Sequence, residues 1–298
     1  MSDGEDGARV AQAAIYSGDV LTGISGKRSR DEVRDMPKAM INGAEIYYEV
    51  HGDGFPVVFT HGFAGTTWMW HPQTPVLSQR YKFISWDARG HGQSASPPSP
   101  DQYSADIVVD DLYQLLRLLN VEKAVVGGLS MGGYLSLRFY MRHLEMVAAL
   151  ILMDTGPGYR NPAHMAEWNE EQEHRARLLE TQGMEAFADD PATATLDTYT
   201  PRDLMLKQNP VGLAHMARKV VAQHDTRVIS SLGDIKVPTL ILVGDQDMPF
   251  LKASEYMEKA VPGAEYVVIP NAGHASNIDN ADAFNKAVLD FLNKHLLG

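Results

Sequence analysis

The segment Gly128-Leu129-Ser130-Met131-Gly132-Gly133 has the residue types and spacing that point most directly to chemistry. It fits the pattern G-x-S-x-G, in which a serine stands on a sharp turn between a strand and a helix. Glycines two residues away on each side leave room for that turn, where a side chain would collide with the backbone. The turn exposes the serine Oγ at a helix N-terminus, which favours negative charge. The pattern therefore predicts that Ser130 is a nucleophile.

A serine nucleophile needs a base, and we expect His274 to be that base among the eleven histidines of the chain. His274 stands in Asn271-Ala272-Gly273-His274, shortly after an apolar run that ends at Ile269. If that run is a strand of the sheet that carries Ser130, its end brings the imidazole to the same sheet edge.

A carboxylate should fix the imidazole tautomer and stabilise the imidazolium. Asp245 and Asp247 follow the apolar run Thr239–Val243, and Asp154 follows the run Val147–Met153. We favour Asp247, because Asp245 is better placed to fix the turn and Asp154 to serve as a cap or turn residue. The resulting chain order, nucleophile then acid then base, is the one associated with strand-to-helix nucleophile turns.

Acyl transfer also needs hydrogen-bond donors for the developing oxyanion. Met131 directly follows the nucleophile, and Phe63 lies in His61-Gly62-Phe63-Ala64-Gly65 after the apolar run 56–60. The backbone N–H groups of Met131 and Phe63 are therefore the expected donors.

Several large apolar side chains near these motifs are candidates for the wall of a substrate pocket. Each of them is equally compatible with core packing, and the sequence leaves that alternative open. The candidates are Trp68, Trp70, Leu129, Trp168 and Phe187.

Every one of these motifs follows an apolar run of the strand type, and helical patterns stand between the runs. The runs cover residues 39–41, 44–50, 56–60, 81–86, 124–127, 147–153, 239–243 and 266–269. Strand–helix alternation predicts an α/β fold with a mostly parallel, twisted sheet of about eight strands and helices on both faces. Residues 157–230 show no convincing strand, which predicts a helical lid (cap) inserted into a core of residues 38–156 and 231–298. Residues 1–37 are expected to form an N-terminal extension.

Composition excludes several classes of function. The formal net charge of −12 argues against nucleic acid and against anionic membrane surfaces as partners. The absence of cysteine removes disulfides, thiolate metal sites and cysteine nucleophiles. No apolar run approaches the roughly 20 residues that span a bilayer, and the start MSDGEDG is acidic where a secretory signal is positive. We expect a cytoplasmic protein, a monomer or a homodimer.

Taken together, these motifs resemble the α/β-hydrolase fold superfamily, and the resemblance covers about residues 38–298. Within it, the Gly-Leu-Ser-Met-Gly-Gly turn resembles lid-bearing 3-oxoadipate enol-lactonases and related small-molecule carboxylesterases. The resemblance implies a serine hydrolase of small esters or lactones that uses no cofactor and no metal. Ser130 stands where dehalogenases and epoxide hydrolases carry Asp, and Leu129 where carbon–carbon hydrolases of aromatic degradation usually carry Asn. Carbon–carbon bond hydrolysis and a non-catalytic ligand-binding protein on the same fold remain the alternatives.

Overall fold

Eight strands form one sheet in this computed structural model, which describes residues 37–191, 193 and 200–296. The strand order is β1-β2-β4-β3-β5-β6-β7-β8, with β2 antiparallel to β1 and β4 and the remaining pairs parallel. The predicted mostly parallel sheet of about eight strands is thereby confirmed. The strands are β1 (Lys38–Ile41), β2 (Ala44–His51), β3 (Phe55–Thr60), β4 (Tyr81–Trp86), β5 (Ala124–Leu129), β6 (Val147–Met153), β7 (Thr239–Gly244) and β8 (Glu265–Ile269).

The central strands are buried on both faces, which is why their sequences are continuously apolar rather than alternating. Every residue of β5 and β7 is buried, as are all but one of β6. The parallel register pairs Thr60 with Gly128, Leu129 with Met153, and Gly244 with Ile269. The carboxyl ends of β3, β5, β6, β7 and β8 therefore meet at one edge of the sheet, and the loops that carry the predicted site residues start there.

Helices follow most of the strands. They are α1 (Thr74–Leu77), α2 (Ala105–Leu118), α3 (Met131–Arg142), α4 (Pro162–Asp189), α5 (Arg202–Met205), α6 (Pro210–Met216), α7 (Arg227–Ser231), α8 (Met248–Ala260), α9 (Ser276–Asp279) and α10 (Ala281–Leu296). The helical pattern of the sequence begins only at Tyr134, whereas α3 begins at Met131, because Gly132 and Gly133 hide a helix that begins directly after Ser130. The helical pattern after β7 begins only at Lys252, whereas α8 begins at Met248, with Pro249 in its first turn.

The described residues between β6 and β7 contain helices and no strand, as the sequence predicted. The long helix α4 is kinked at Gly183, whose φ is +79°. The sequence pattern over 210–228 predicts one helical segment. The structure shows instead that α6 passes into a π-helix at Ala217–Val221 and that the chain runs extended at Ala222 before α7. The π-helix packs on α2 and α7 packs on α3. These helices, α4 to α7 with the π-helix, are called the β6–β7 helices below.

The predicted N-terminal extension, residues 1–37, lies outside the described residues except for Pro37. From Pro37 onward the described chain belongs to one compact unit. Among the helices described, none combines the length and the apolar character needed to cross a membrane.

Candidate active site

Ser130 stands on a strained turn between β5 and α3. Its φ of +54° and ψ of −114° lie where residues other than glycine are rare. The turn is held from both sides, because the Ser130 N–H donates to Met153 O at 2.9 Å and Thr155 Oγ1 donates to Ser130 O at 2.6 Å. The Ser130 side chain does not cap α3. The Ser130 hydroxyl therefore makes no capping hydrogen bond to the N-terminus of α3.

Gly132 is required by how closely the turn approaches β3. A Cβ at Gly132 would lie 2.0 Å from Thr60 O and 2.8 Å from His61 O. No side chain fits at those distances, so only glycine allows the first turn of α3 to lie against the end of β3. This contact brings the loop that begins at His61 next to the loop that carries Ser130.

His274 and Asp247 are joined by a hydrogen bond. His274 Nδ1 lies 2.7 Å from Asp247 Oδ2, and both side chains are nearly buried. Because an ionised carboxylate only accepts, Nδ1 carries the proton and Nε2 keeps its lone pair. The Phe250 ring stacks on the imidazole, with ring centroids 4.7 Å apart. This hydrogen bond and this stacking contact both help to fix the orientation of the His274 imidazole.

Asp245 fixes the histidine loop rather than the imidazole. Its Oδ1 accepts from the Ala272 N–H at 3.1 Å, and the Gln246 N–H donates to Ala272 O at 2.9 Å. A Cβ at Gly244 would lie 2.3 Å from the carbonyl oxygens of both Ala272 and Gly273. The backbone of the loop after β7 is therefore in close contact with the backbone of the loop after β8. The expectation that Asp245 fixes the turn is confirmed by these contacts.

His61 holds the loop in which Phe63 lies. Its Nδ1 lies 2.7 Å from Gly62 O, and the Ala88 N–H donates to its Nε2 at 3.0 Å. The proton is therefore on Nδ1, and burial lowers the pKa of His61 to about 4, which keeps the ring neutral. Phe63 is buried, and its ring meets His91 and Phe187 edge to face. The loop that we expect to supply an oxyanion donor is thus held by the hydrogen bonds of His61 and by the ring contacts of Phe63.

A cavity of about 420 Å³ opens beside the nucleophile turn. Ser130 and Met131 line it, and so does Phe250, which stacks on His274. The rest of the lining is largely apolar and aromatic. It consists of Tyr134, Thr155, Gly156, Pro157, Gly158, Tyr159, His164, Trp168, Val220, Val221, Gln223, Ile229, Pro249, Lys252, Ala253 and Tyr256.

The β6–β7 helices form one wall of this cavity, and side chains of α4 hold that wall in place. Trp168 Nε1 donates to Val221 O at 2.9 Å. Asn169 pairs with the backbone of Gln223 through two hydrogen bonds of 2.7 and 2.8 Å. The Gln223 side chain in turn accepts from the Tyr159 N–H at 3.1 Å. These side-chain hydrogen bonds therefore fix the backbone of the cavity wall at Val221 and Gln223.

Of the five pocket candidates, Trp168 lines this cavity and the other four do not. Trp70 is fully buried and packs against Phe59, with ring centroids 5.1 Å apart. Leu129 and Phe187 are also fully buried, and Trp68 lies against His71. Trp70 and Leu129 thus belong to the core under the site. Tyr134 was missed, although a position one helical turn after Ser130 could have indicated it.

Asp87 and Arg89 support the site without lining the cavity. Asp87 is buried and accepts from the N–H groups of Thr67 and Gln93. Arg89 forms two hydrogen bonds of 2.6 Å with Asp111, and both side chains are buried. Burial raises the pKa of Asp87 to about 7. Within the described residues, no group of three His, Asp or Glu side chains is arranged to hold a metal ion.

Comparison with known proteins matches residues 56–200 and 208–281 to a family model described as alpha/beta hydrolase fold. Among solved structures, the chain is similar to the enol-lactonase from Burkholderia xenovorans LB400, with a TM-score of 0.75 and 29% identity, covering 86% of this chain and 100% of that one. It is also similar to a thermophilic esterase from Thermogutta terrifontis solved with malate bound, with a TM-score of 0.76 and 28% identity, covering 88% and 100%. A curated relative from Bacillus subtilis, a putative 2-succinyl-6-hydroxy-2,4-cyclohexadiene-1-carboxylate synthase, is 28% identical over 246 residues, which is 79% of this chain and 89% of that protein.

Proposed function

The chain belongs to the α/β-hydrolase fold family, and we propose that it is a serine hydrolase that cleaves small carboxylic esters or lactones through an acyl-enzyme. The observation that carries this proposal is the hydrogen bond between His274 Nδ1 and Asp247 Oδ2 at the sheet edge where Ser130 stands on its strained turn. That bond leaves Nε2 as the basic nitrogen, which is the form a general base requires.

In the proposed acylation step, Ser130 Oγ attacks the carbonyl carbon while His274 Nε2 takes the hydroxyl proton. The oxygen of the tetrahedral intermediate accepts from the N–H groups of Met131 and Phe63. The bond to the alcohol oxygen then breaks, and the imidazolium gives its proton to the leaving alkoxide. The acyl group remains on Ser130 as an ester.

In the proposed deacylation step, water replaces the alcohol. His274 Nε2 takes a proton from the water while the water oxygen attacks the acyl carbon. The second tetrahedral intermediate releases Ser130, which recovers the proton, and the carboxylic acid leaves. For a lactone, the alcohol and the acid are two ends of one molecule, so the ring opens.

The cavity supports substrates with an uncharged apolar or aromatic group. A volume of about 420 Å³ lies within the range of small-molecule sites, and aromatic rings form much of the wall. The described lining contains Lys252 and His164 but no carboxylate. We therefore expect cationic esters such as choline esters to be poor substrates. The relatives described as an enol-lactonase and an esterase support the same substrate class.

We also propose that residues 157–230 act as a cap over the site. The β6–β7 helices supply Trp168, Val220 and Val221 to the cavity wall, whereas the turn after β5 and the start of α3 supply Ser130 and Met131. A cap of this kind decides which substrates fit, because its side chains face the nucleophile across the cavity.

The test is hydrolysis of p-nitrophenyl esters from acetate to octanoate and of simple lactones. The wild type is compared with Ser130→Ala and with Ser78→Ala, whose serine does not line the cavity. We expect turnover by the wild type and Ser78→Ala and loss in Ser130→Ala. Turnover that survives in Ser130→Ala would overturn the proposal.

A fluorophosphonate probe separates the remaining possibilities. Labelling of Ser130, located by mass spectrometry, supports an activated serine even where none of the panel esters is cleaved. Absence of both labelling and turnover would overturn the hydrolase proposal in favour of a binding protein. Preferred cleavage of a vinylogous 1,5-diketone acid over every ester would select carbon–carbon hydrolysis instead.

A further inference from the structure

Asp154, the residue that follows β6, is a fully buried carboxylate that the proposed mechanism does not use. Its φ of +45° lies in the left-handed region, which residues other than glycine adopt at a cost. A buried charge and a strained backbone at one position are both unfavourable. Their combination directs attention to what the Asp154 carboxylate contacts.

The two carboxylate oxygens of Asp154 bond two different loops. Oδ1 accepts from the Gly244 N–H at 2.8 Å, at the end of the strand that leads to Asp247. Oδ2 accepts from the hydroxyl of Ser276, two residues after His274. The neighbouring Thr155 bonds the carbonyl of Ser130. Asp154 and Thr155 thus contact the loops of all three proposed triad residues.

Asp154 is also coupled electrostatically to the imidazole. Burial, with a smaller contribution from the charge of Asp247, raises the pKa of Asp154 to about 7, and the charge of His274 opposes the rise. The other charged groups that face His274 are Asp247, through its hydrogen bond, and Asp279, which accepts from the Gly273 N–H at 2.8 Å. From the cavity side the imidazole meets the uncharged Phe250 ring.

We propose that Asp154 is a positioning residue that fixes the Asp247 and His274 loops against each other through the two hydrogen bonds that its carboxylate accepts. The proposal rests on the proposed function for the role of His274. Asp154 touches neither the substrate nor the reacting atoms in this scheme. Its effect passes through Gly244 and Ser276.

Asp154→Gly removes both hydrogen bonds and accepts the positive φ, whereas Asp154→Asn keeps the shape of the side chain. In Asp154→Asn the amide oxygen can still accept from Gly244, and the amide nitrogen can donate to Ser276 Oγ. We expect kcat to fall about ten-fold or more in Asp154→Gly with KM nearly unchanged, and most of that loss to be restored in Asp154→Asn. Asp282→Gly, at an exposed position at the start of α10, is the matched control and should leave kcat nearly unchanged.

The ¹H–¹⁵N correlation spectrum of the His274 ring makes the test independent of turnover. The ring signals are assigned by their loss in His274→Gln. In Asp154→Gly these signals should shift or broaden, because the loop that carries His274 is no longer tied through Ser276, and Asp154→Asn should restore them. Ring signals equal to those of the wild type in a folded Asp154→Gly protein would overturn the proposal, whether or not the protein cleaves esters.

Ser276→Ala tests one tether separately, since it removes the bond to the His274 loop and leaves the bond from the Gly244 N–H. We expect kcat to fall several-fold with KM nearly unchanged, because the loop loses orientation while the cavity wall stays intact. The His274 ring signals should move less than in Asp154→Gly. Wild-type kcat in Ser276→Ala would overturn the proposal. Should Asp154→Gly fail to fold, Ser276→Ala carries the test on its own.

Discussion

His274 Nδ1 lies 2.7 Å from Asp247 Oδ2, and this hydrogen bond joins two loops that leave neighbouring strands of the sheet, β7 and β8. The contact is possible because Gly244 and Ile269 are register partners, so the two loops start side by side. Asp245, two residues before Asp247, instead accepts from the backbone N–H of Ala272 in the loop that carries His274. The two aspartates therefore offer a comparison in which charge and position are nearly matched.

Asp247→Asn should lower kcat by about 10³- to 10⁴-fold, because the amide can donate to Nδ1 and so favours the wrong imidazole tautomer. Asp245→Asn keeps an oxygen that accepts from the Ala272 N–H. It should lower kcat by less than about ten-fold, because the substitution only weakens one hydrogen bond. Steady-state kinetics on one p-nitrophenyl ester, with melting temperatures of both variants, measure the difference. Equal losses in the two variants would contradict the assignment of Asp247 as the triad acid.

Val221→Phe should shorten the preferred acyl chain. Val221 lines the cavity from the π-helix, and its carbonyl is fixed by Trp168 Nε1, so a larger side chain fills space that substrate would use. The ratio of kcat/KM for octanoate to that for acetate should fall about ten-fold or more. Val211→Phe on α6 is the control, since Val211 is exposed and does not line the cavity. An unchanged ratio in Val221→Phe would show that the acyl chain binds elsewhere.

The mostly parallel sheet, and the position of the three proposed triad residues at the ends of its strands, could be predicted from sequence for one physical reason. A strand buried on both faces has a continuous apolar sequence, and loops after parallel strands share one sheet edge. Ser130, Asp247 and His274 are far apart in sequence, yet each follows such a run. Their position at one edge of the sheet therefore follows from topology rather than from spacing in the sequence.

The pocket could not be predicted in the same way. Trp70 and Trp168 have the same residue type, but Trp70 packs against Phe59 in the core and Trp168 lines the cavity. Apolar side chains follow the same pattern in a core and in a pocket wall, so periodicity does not separate them. The π-helix at Ala217–Val221 was missed because its residues also fit an α-helical pattern. Wall geometry depends on tertiary contacts such as that of Trp168 with Val221.

Arg89→Met should destabilise the fold by about 3–5 kcal/mol, because it leaves the carboxylate of Asp111 buried without its cation. Arg89 donates to both Asp111 oxygens at 2.6 Å, and both side chains are buried. Arg117→Met, at an exposed position of α2, should change stability by less than about 0.5 kcal/mol. Urea unfolding measures both. The double variant Arg89→Met with Asp111→Leu should lose less than Arg89→Met alone, and strictly additive losses would contradict this account.

His61 should make the fold less stable as the pH falls from about 6.5 to about 4. Burial lowers the pKa of His61 in the folded protein to about 4 from a value of 6.5, so the unfolded chain binds a proton first. Stability that is present above pH 6.5 is therefore lost on acidification through that window. Protonation would also place a second N–H on Nε2, where the Ala88 N–H now donates.

Comparison with His61→Gln isolates this effect from the opposite slope of Asp87, whose pKa is raised by burial to about 7. At pH 7.5 the variant should be less stable than the wild type by about 1–3 kcal/mol, because buried backbone groups lose partners. At pH 4.5 that difference should shrink, since the wild type has lost the contribution of neutral His61. Urea unfolding at pH 7.5, 5.5 and 4.5 measures it, with His224→Gln as the exposed control. A difference that stays constant over this range would mean that His61 does not govern the acid stability of the loop.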